Sequence, residues 1–313
     1  MKQKRTMNTV RAVVAAVAGL LCVNGFGESA LMKRANELCK ELEETKAEAK
    51  RLRDEGDAIG SAKLYEKVFS HENDSIWNEV AASGEDTTGS ILYTRSSLFC
   101  DISFYVVRSK AVKQYNDNMV MLWKKAKAHY AKGELDEAVK AVDKILEWVP
   151  DESYDVDGAR VNRTRVESAR LFKDRVSQDE KQWQAAIDEF NGSGSLAKAE
   201  SRLRNMAGKC ICQEAMVMSA RQEGDAYNIQ VMLPGKIFPV MNLRADSSKN
   251  AMKDMEYLKC GKKIWFAGVF DFKEGTAIDS VTATGIEVVK CTVYQARKPD
   301  IDDITGFYES IGE

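Results

Sequence analysis

The stretch Leu122–Pro150, LWKKAKAHYAKGELDEAVKAVDKILEWVP, decides the fold of the first two-thirds of this chain. Small residues stand on both sides of a Gly133-Glu134 turn, with Ala126 and Ala128 before it and Ala138 after it. Small side chains let two antiparallel helices approach closely, and glycine adopts the left-handed conformation that ends a helix. The stretch therefore predicts a helix, a tight turn and a second helix that ends at the proline.

This pattern resembles a tetratricopeptide repeat. Tyr130 is the aromatic residue near the end of the first helix, whereas His129 and Val142 stand where the family prefers aromatic side chains. A weaker second copy runs from Ala49 to Phe69 around a Gly56-Asp57 turn. Such units bury their faces only by stacking, so the resemblance implies a short helical stack that offers a groove to a protein or peptide partner.

Helical periodicity extends beyond these copies. Apolar residues alternate spacings of four and three from Ser29 to Leu52, which predicts a helix that packs inside a domain. Ile91–Val112 is predicted as one buried helix and Arg160–Phe190 as a long charged helix. The sequence Asn191-Gly192-Ser193-Gly194 is predicted to be a linker.

The periodicity changes from helical to alternating at Lys209, and five strands are predicted. A polar helix, Ser247–Leu258, is predicted between the third strand and the fourth. The predicted strands are Lys209–Arg221, Tyr227–Leu233, Lys236–Leu243, Lys262–Phe272 and Val281–Tyr294.

This order of three strands, a helix and two strands resembles an OB-fold barrel of the type called tRNA-anticodon-binding-like. Residues 258–268 resemble the family's entry into the fourth strand, with a turn at Gly261 and a curl at Gly268. The resemblance describes a shape and carries no function. The predicted fold class is α+β with two domains: an N-terminal all-α stack similar to tetratricopeptide repeats and a C-terminal five-stranded OB-like β-barrel.

The composition shift near Met206 sets the predicted boundary between the helical domain at 28–205 and the barrel at 206–295. A signal peptide is predicted at 1–27 and a tail at 296–313. The tail is acidic and then weakly apolar, and the sequence leaves open whether it packs back as a short helix or stays disordered.

The N-terminus predicts export. A basic start is followed by the apolar run Ala12–Val23 and the small residues Gly25 and Gly27, as in a cleaved signal peptide. An uncleaved anchor is the main alternative. Lipidation at Cys22 is disfavoured because Leu21 precedes it. We expect a periplasmic or secreted bacterial protein with no integral membrane span after the signal is removed.

Charge and motifs argue against several function classes. Lys and Arg number 46 against 48 Asp and Glu, so nothing favours nucleic acid as a partner. With only two histidines, His71 and His129, the chain is poorly suited to a histidine triad or a multi-histidine zinc site. Ser153–Gly158 resembles the start of a calcium loop, but Thr164 stands where the bidentate acid belongs. We therefore predict no catalytic residue, no metal and no cofactor.

One disulfide is predicted on geometric grounds. If the last two strands form a hairpin that turns at Gly275-Thr276, Cys260 falls opposite Cys291. The prediction depends on that register.

The usual binding surface of such a barrel lies across its second and third strands. The candidate ligand-binding residues are Tyr227, Gln230, Lys236, Phe238, Asn242 and Trp265. If the Trp265 indole is exposed, it offers a stacking platform for a sugar or base; the alternative is that the helical domain covers it.

Two functions follow from this sequence. The first is a non-enzymatic interaction or scaffold protein of the bacterial cell envelope, in which the helical repeats bind a protein or peptide. The alternative is a ligand-binding protein whose barrel holds an oligosaccharide or other small ligand. A hydrolase with paired carboxylates ranks last because no convergent pair can be placed.

Overall fold

The computed structural model describes residues 29–100, 103–150, 159–192, 196–233, 240–246, 258–272, 286–294 and 297–312. A helical N-terminal part is followed by a closed five-stranded barrel, which confirms the predicted α+β class. The chain forms two compact units, Met1–Ala111 and Val112–Glu313. The predicted signal peptide lies outside the described residues.

The first unit is helical. Ser29 caps its first helix, where the Ser29 side chain accepts a hydrogen bond from the Met32 amide. Its helices are α1 (Ala30–Asp54), α2 (Ala58–Phe69), α3 (Ser75–Ser83), α4 (Ser90–Phe99) and the start of α5 (Ser103–Ala131). The predicted helix at Ile91–Val112 is therefore two helices, α4 and the first part of α5.

The turn between α1 and α2 closes as the sequence predicts. Gly56 has a φ of +88°, in the left-handed region, and the Asp57 amide donates to the Leu52 carbonyl at 2.9 Å. The buried Ser61 hydroxyl donates to the Ala49 carbonyl at 2.7 Å, so the two helices meet at small residues. Hydrophobic and aromatic contacts then extend this pair, including a stacked Phe69–Phe104 pair with ring centroids 4.3 Å apart.

The second unit begins with a similar helix pair. Its helices are the rest of α5, α6 (Leu135–Leu146), α7 (Arg163–Leu171), a π-helical turn (Phe172–Val176), α8 (Ser177–Gly192) and α9 (Leu196–Arg204). Gly133 has a φ of +81°, and the Glu134 amide donates to the His129 carbonyl at 3.0 Å. Ala126 and Ala138 are both fully buried, whereas Ala128 is exposed. Ala128 therefore has no part in the close approach that the sequence assigned to it.

The barrel has five strands: β1 (Cys210–Glu223), β2 (Ala226–Met232), β3 (Val240–Asp246), β4 (Lys263–Phe272) and β5 (Ile286–Val293). The strand order is β1-β2-β3-β5-β4, and the barrel closes between β1 and β4. The β3–β5 pair is parallel and the other pairs are antiparallel. The predicted helix Ser247–Leu258 lies outside the described residues except at Leu258.

A bulge lets β5 bend between its two neighbours. The β4–β5 register shifts between Ala267 and Val269, and Lys290 on β5 has a φ of +51°. A Cβ atom on Gly268 would lie 2.3 Å from Val288 Cγ1, so only glycine fits at this crossing. The curl predicted at Gly268 is thus a point of close backbone approach.

The chain after the barrel forms a helix with one buried face, α10 (Ile301–Ile311). Asp300 and Asp303 cap it reciprocally, each side chain accepting a hydrogen bond from the other's backbone amide. The Asp302 carboxylate accepts from Trp123 Nε1 at 2.8 Å and from Arg165 at 2.7 Å, which ties α10 to α5 and α7. Of the two alternatives for the tail, the structure has the packed helix.

The core of the barrel continues into the helices before it. Trp183, Ala186 and Ile187 of α8 and Leu203 of α9 belong to the same hydrophobic cluster as the inward-facing barrel residues. Residues on both sides of the predicted boundary between 205 and 206 therefore share one hydrophobic core. No helix among the described ranges is long and apolar enough to span a bilayer.

Candidate functional site

A cleft of about 620 Å³ opens in the second unit. The turn and first residues of α6, numbers 133–137, form one wall, and α8 forms the opposite wall from Glu180 to Asp188. Cys212 and Gln213 of β1 and Trp265 of β4 line the barrel side, and Lys298 lies before α10. We call this the acidic cleft, because the residues that line it include more carboxylates than cations.

Five carboxylates line the acidic cleft, against the ammonium groups of Lys181 and Lys298. They belong to Glu134, Asp136, Glu137, Glu180 and Asp188. Lys181 pairs with Asp136 at 2.8 Å, and His129 Nδ1 lies 2.6 Å from Glu134. The balance of charge on the walls is negative, which favours a cationic ligand.

Two tryptophans have different roles in this cleft. Trp183 is only 3% exposed, donates from Nε1 to Gln213 at 3.0 Å and lies 5.5 Å from the Phe270 ring centroid. It therefore anchors α8 on the barrel. Trp265 is partly exposed on the cleft side. The Trp265 side chain is thus neither fully covered nor fully exposed, which were the two alternatives considered from the sequence.

A polar cluster adjoins the cleft through Glu180 and Lys298, which both line it. The buried Tyr130 hydroxyl donates to Glu180, and Lys298 Nζ donates to the Tyr130 carbonyl at 2.8 Å. Burial raises the pKa of Glu180 although the Tyr130 hydrogen bond and the charge of Lys298 both lower it. Burial and the nearby Glu180 charge raise the pKa of Tyr130 well above its usual value, so this phenol stays protonated as a donor.

The adjacent carboxylate, Asp179, fixes the start of α8. It accepts from the Tyr308 hydroxyl at 3.0 Å and from the Cys210 amide at 3.3 Å. The π-helical turn directly precedes this segment. Consecutive acidic residues thus bind α8 to α10 and β1 through Asp179, and to α5 through Glu180.

The thiols beside this cluster are held neutral. Burial raises the pKa of Cys210 to about 12, and burial with the Glu180 charge raises the pKa of Cys212 well above its usual value. Since the thiolate is the reactive form, neither group is an activated nucleophile.

The structure separates the candidate ligand-binding residues. Gln230 and Asn242 are cross-strand partners on the outer face of β2 and β3, and Gln230 is exposed. Tyr227 is only 8% exposed and belongs to the barrel core, so its side chain does not lie on the outer face with Gln230. The inward side of β2 is the odd-numbered one, which places Tyr227 with Ile229. Lys236 and Phe238 lie outside the described residues.

Trp265 belongs to another part of the barrel. It pairs with Glu214 of β1, whereas Gln230 and Asn242 lie on β2 and β3. The sequence-based site therefore divides into a polar face on β2 and β3 and the acidic cleft at Trp265.

The observed register does not pair Cys260 with Cys291, on which the predicted disulfide depended. Cys260 is exposed before β4, and Cys291 is buried in β5. The observed register pairs Phe266 with Val293 and Phe270 with Val288. Since β5 begins only at Ile286, Cys291 lies beside the middle of β4 and Ala245 of β3, well away from Cys260.

Sequence reasoning missed the Tyr130–Glu180–Lys298 cluster. Tyr130 stands out in the sequence only as the aromatic residue of the repeat, and Glu180 belongs to a charged helix with the pattern of a solvated one. No local pattern connects residues so far apart in the chain. The one available signal was the Asp179-Glu180 pair at the start of α8.

Within the described ranges, no group of three or more potential metal ligands from His, Cys, Asp and Glu side chains is present. His71 Nδ1 contacts Asp74 at 2.7 Å and His129 contacts Glu134, so each histidine has a local carboxylate partner. The calcium-like segment Ser153–Gly158 lies outside the described residues.

Comparison with known proteins adds little. No protein family matches the sequence, and no curated protein is similar to it. One solved structure that matches in part is described as "OBody AM3L09 bound to hen egg-white lysozyme". The two chains are 16% identical, the match covers 30% of this chain and 88% of that chain, and the TM-score is 0.23.

Proposed function

We propose that this protein is a non-enzymatic interaction protein that binds a protein or peptide partner in the acidic cleft, through a segment that carries a basic side chain. The observation that carries the proposal is the composition of the cleft walls, where five carboxylates face two ammonium groups. A cleft of about 620 Å³ is large enough for a few side chains of an extended segment.

The helical architecture supports this use. The Gly56 and Gly133 turns close in the same way, and buried small residues stand at matching positions in each pair, Ala49 with Ser61 and Ala126 with Ala138. These features fit the proposed tetratricopeptide-like nature of the helices, an architecture that presents binding surfaces. The closed barrel likewise fits the proposed OB-like identity, and here it supplies one wall of the cleft.

An oligosaccharide-binding function is the second candidate. Trp265 offers a partly exposed indole in the cleft, and the amide side chains of Gln184 and Gln213 line the same cleft. Sugars bind to such combinations of an aromatic face and amide hydrogen-bond partners. The negative wall charge contributes nothing to a neutral glycan, and for this reason the peptide ranks first.

The test is a titration of residues 28–313 with an acetylated hexapeptide of alternating Lys and Ala, followed by calorimetry. We expect binding that weakens with salt and that falls at least about tenfold in Asp188→Lys, since a repulsive charge replaces an attractive one. Glu44→Lys, an equal charge reversal on the exposed side of α1, is the matched control. The same peptide with acetylated lysines should not bind.

Two results would contradict this function. Equal affinity in Asp188→Lys and Glu44→Lys would place the peptide elsewhere. Binding of a chito-oligosaccharide that is lost in Trp265→Ala, with no binding of the basic peptide, would favour the second candidate.

We further propose that the protein works in the bacterial cell envelope as a periplasmic or secreted protein, because residues 1–27 have the three regions of a signal peptide. Expression of the full chain followed by fractionation and N-terminal sequencing tests this. Recovery of uncleaved protein in the membrane fraction would indicate an anchor instead.

A further inference from the structure

Lys298, which lines the acidic cleft, holds a positive charge against two aromatic rings. Lys298 Nζ lies 4.4 Å from the ring centroid of Tyr130 and 5.7 Å from that of Trp265. A cation within about 6 Å of a ring centroid is attracted by the ring quadrupole, and the attraction grows when the site is shielded from water. Tyr130 is 1% exposed, so this site is shielded on at least one side.

A carboxylate completes the recess. Glu180 accepts the Tyr130 hydroxyl hydrogen and lines the same cleft as Lys298. Burial raises the pKa of the Glu180 carboxyl, and the positive charge of Lys298 opposes this shift by favouring the ionised form. Two aromatic rings, a backbone carbonyl and an acid form a set of groups that suits an alkylammonium ion.

Residues on both sides of Lys298 form ion pairs with neighbouring helices. Arg297 pairs with Asp303 at 2.7 Å, and Asp300 pairs with Lys127 at 2.7 Å. The four-carbon stem of Lys298 is the flexible part, and this side chain is partly exposed in the cleft. The ammonium group can therefore leave the recess by rotation of its own side chain, with the surrounding backbone in place.

We propose that the recess formed by Tyr130, Glu180 and Trp265 is an alkylammonium subsite, that Lys298 is its built-in occupant, and that a lysine side chain of the bound partner displaces Lys298. The inference rests on the proposed function, since it names the group that the partner inserts. In the free protein, Lys298 thus occupies the subsite that the partner's lysine would enter.

This arrangement has a physical advantage. The exchange of one ammonium for another leaves the Glu180 charge compensated before and after binding, so no buried charge is left alone. The recess contacts are then nearly equal in the two states, and the net affinity comes from the rest of the partner segment. A small free amine should therefore fail to compete with the tethered Lys298, which is present at a high effective concentration.

The experiment is a chemical rescue. Lys298→Ala empties the recess, and n-butylammonium has the four carbons and the ammonium group of a whole lysine side chain. We expect n-butylammonium to raise the thermal midpoint of Lys298→Ala saturably, with at least about tenfold tighter binding than to the wild type. The uncharged analogue 1-butanol should have no such effect. Lys181→Ala, which also removes one ammonium from the cleft, is the matched control and should show no rescue.

A second variant guards against a misfolded protein. Lys298→Ala combined with Glu180→Gln removes the uncompensated carboxylate, so its fold does not depend on a cation. This double variant should still prefer n-butylammonium to 1-butanol, but at least about threefold more weakly than Lys298→Ala. Equal responses to the amine and the alcohol in both variants would overturn the subsite.

The rescue result is separate from the peptide titration. If n-butylammonium rescues Lys298→Ala while no basic peptide binds any variant, the subsite stands and the proposed function fails. If the peptide binds the wild type and no rescue occurs, the function stands and the subsite fails. Displacement itself predicts that Lys298→Ala binds the lysine peptide more tightly than Lys181→Ala does, and the reverse order would overturn it.

Discussion

At Gly268 the contact between β4 and β5 leaves no room for a side chain. A Cβ atom there would lie 2.3 Å from Val288 Cγ1 and 3.2 Å from the Val289 carbonyl oxygen. We expect Gly268→Ala to lower the free energy of unfolding by about 1–3 kcal/mol, because β4 and β5 must move apart. Urea denaturation measures the change.

The control for this substitution is Gly306→Ala, since a Cβ atom on Gly306 would have nothing within 4 Å. Gly306 belongs to α10, where alanine has the higher helix propensity by about 0.8–1 kcal/mol. This variant should be as stable as the wild type or more so. Equal losses in the two variants would contradict the steric argument.

The protonation of Glu180 predicts a pH dependence. Burial raises the pKa of this carboxyl above 4.5, so the folded state holds its proton more tightly than the unfolded state does. The folded protein therefore gains stability as pH falls through the folded pKa toward 4.5, and this gain is absent at higher pH. Glu180→Gln removes the titration. The unfolding free energy of the wild type, relative to the variant, should rise as pH is lowered, and a difference that stays constant would contradict this assignment.

At the scale of elements, the contact between α5 and α6 depends on which alanine faces the partner helix. Ala126 is fully buried and Ala128 is exposed. Ala126→Leu should lower the unfolding free energy by about 1–3 kcal/mol, because the helices cannot separate without loss of packing. Ala128→Leu should change it by less than about 0.5 kcal/mol. Thermal unfolding of both variants checks the pair, and similar losses would mean that α5 is rotated.

The docking of α10 depends on Asp302. Burial by itself would raise the pKa of this carboxyl, but hydrogen bonds from Lys127, Trp123 and Arg165 lower it overall. The stabilising contribution of the ionised Asp302 is therefore present above about pH 3.8, the ordinary pKa of an aspartate. It is lost as the pH falls through the lower pKa of the folded state. Asp302→Asn should weaken α10 docking by roughly 1–2 kcal/mol, a figure reduced because the site is partly exposed.

Hydrogen exchange of the α10 amides measures this docking. The protection of residues 301–311 should fall in Asp302→Asn while that of β1 changes little. Glu309→Gln, an exposed change on the same helix, is the control and should leave protection unchanged. Loss of protection throughout the second unit would show that α10 is not a separable element.

At the scale of the whole molecule, the shared core decides which fragments fold. The α8 residues Trp183, Ala186 and Ile187 pack in one cluster with the barrel. We expect residues 206–313 alone to aggregate or to lack a cooperative transition, because this cover is missing. Residues 112–313, which keep the whole compact unit, should unfold in one cooperative step by calorimetry. A folded 206–313 fragment would support the boundary predicted from composition.

The sequence predicted the elements better than their partners. Glycine turns at Gly56 and Gly133 and the alternating patterns of β1, β2 and β4 are local, so their periodicity is directly visible. The β4–β5 register is not visible in the sequence, because it depends on where β5 begins after a long connection. The predicted helix at Ile91–Val112 merges α4 with the start of α5, and α8 extends to Gly192, two residues into the predicted linker.

The candidate site was harder to predict than the fold. Trp265 could be identified because a large aromatic residue alternates with core residues on β4. Tyr130, Glu180 and Lys298 come from three distant segments, and only the tertiary packing brings them together. Tyr227 alternates with Asn228 and Gln230 on β2, so the strand pattern alone already places it inward with Ile229.

The contact between α10 and α5 also sets an order of events during protein synthesis. Trp123 and Asp302, which it joins, are 179 positions apart. When a ribosome has produced α5 to α8, α10 does not yet exist, so the surface that α10 covers stays open to solvent. This helix can dock only after synthesis has passed residue 311, and its docking is therefore a late step of folding.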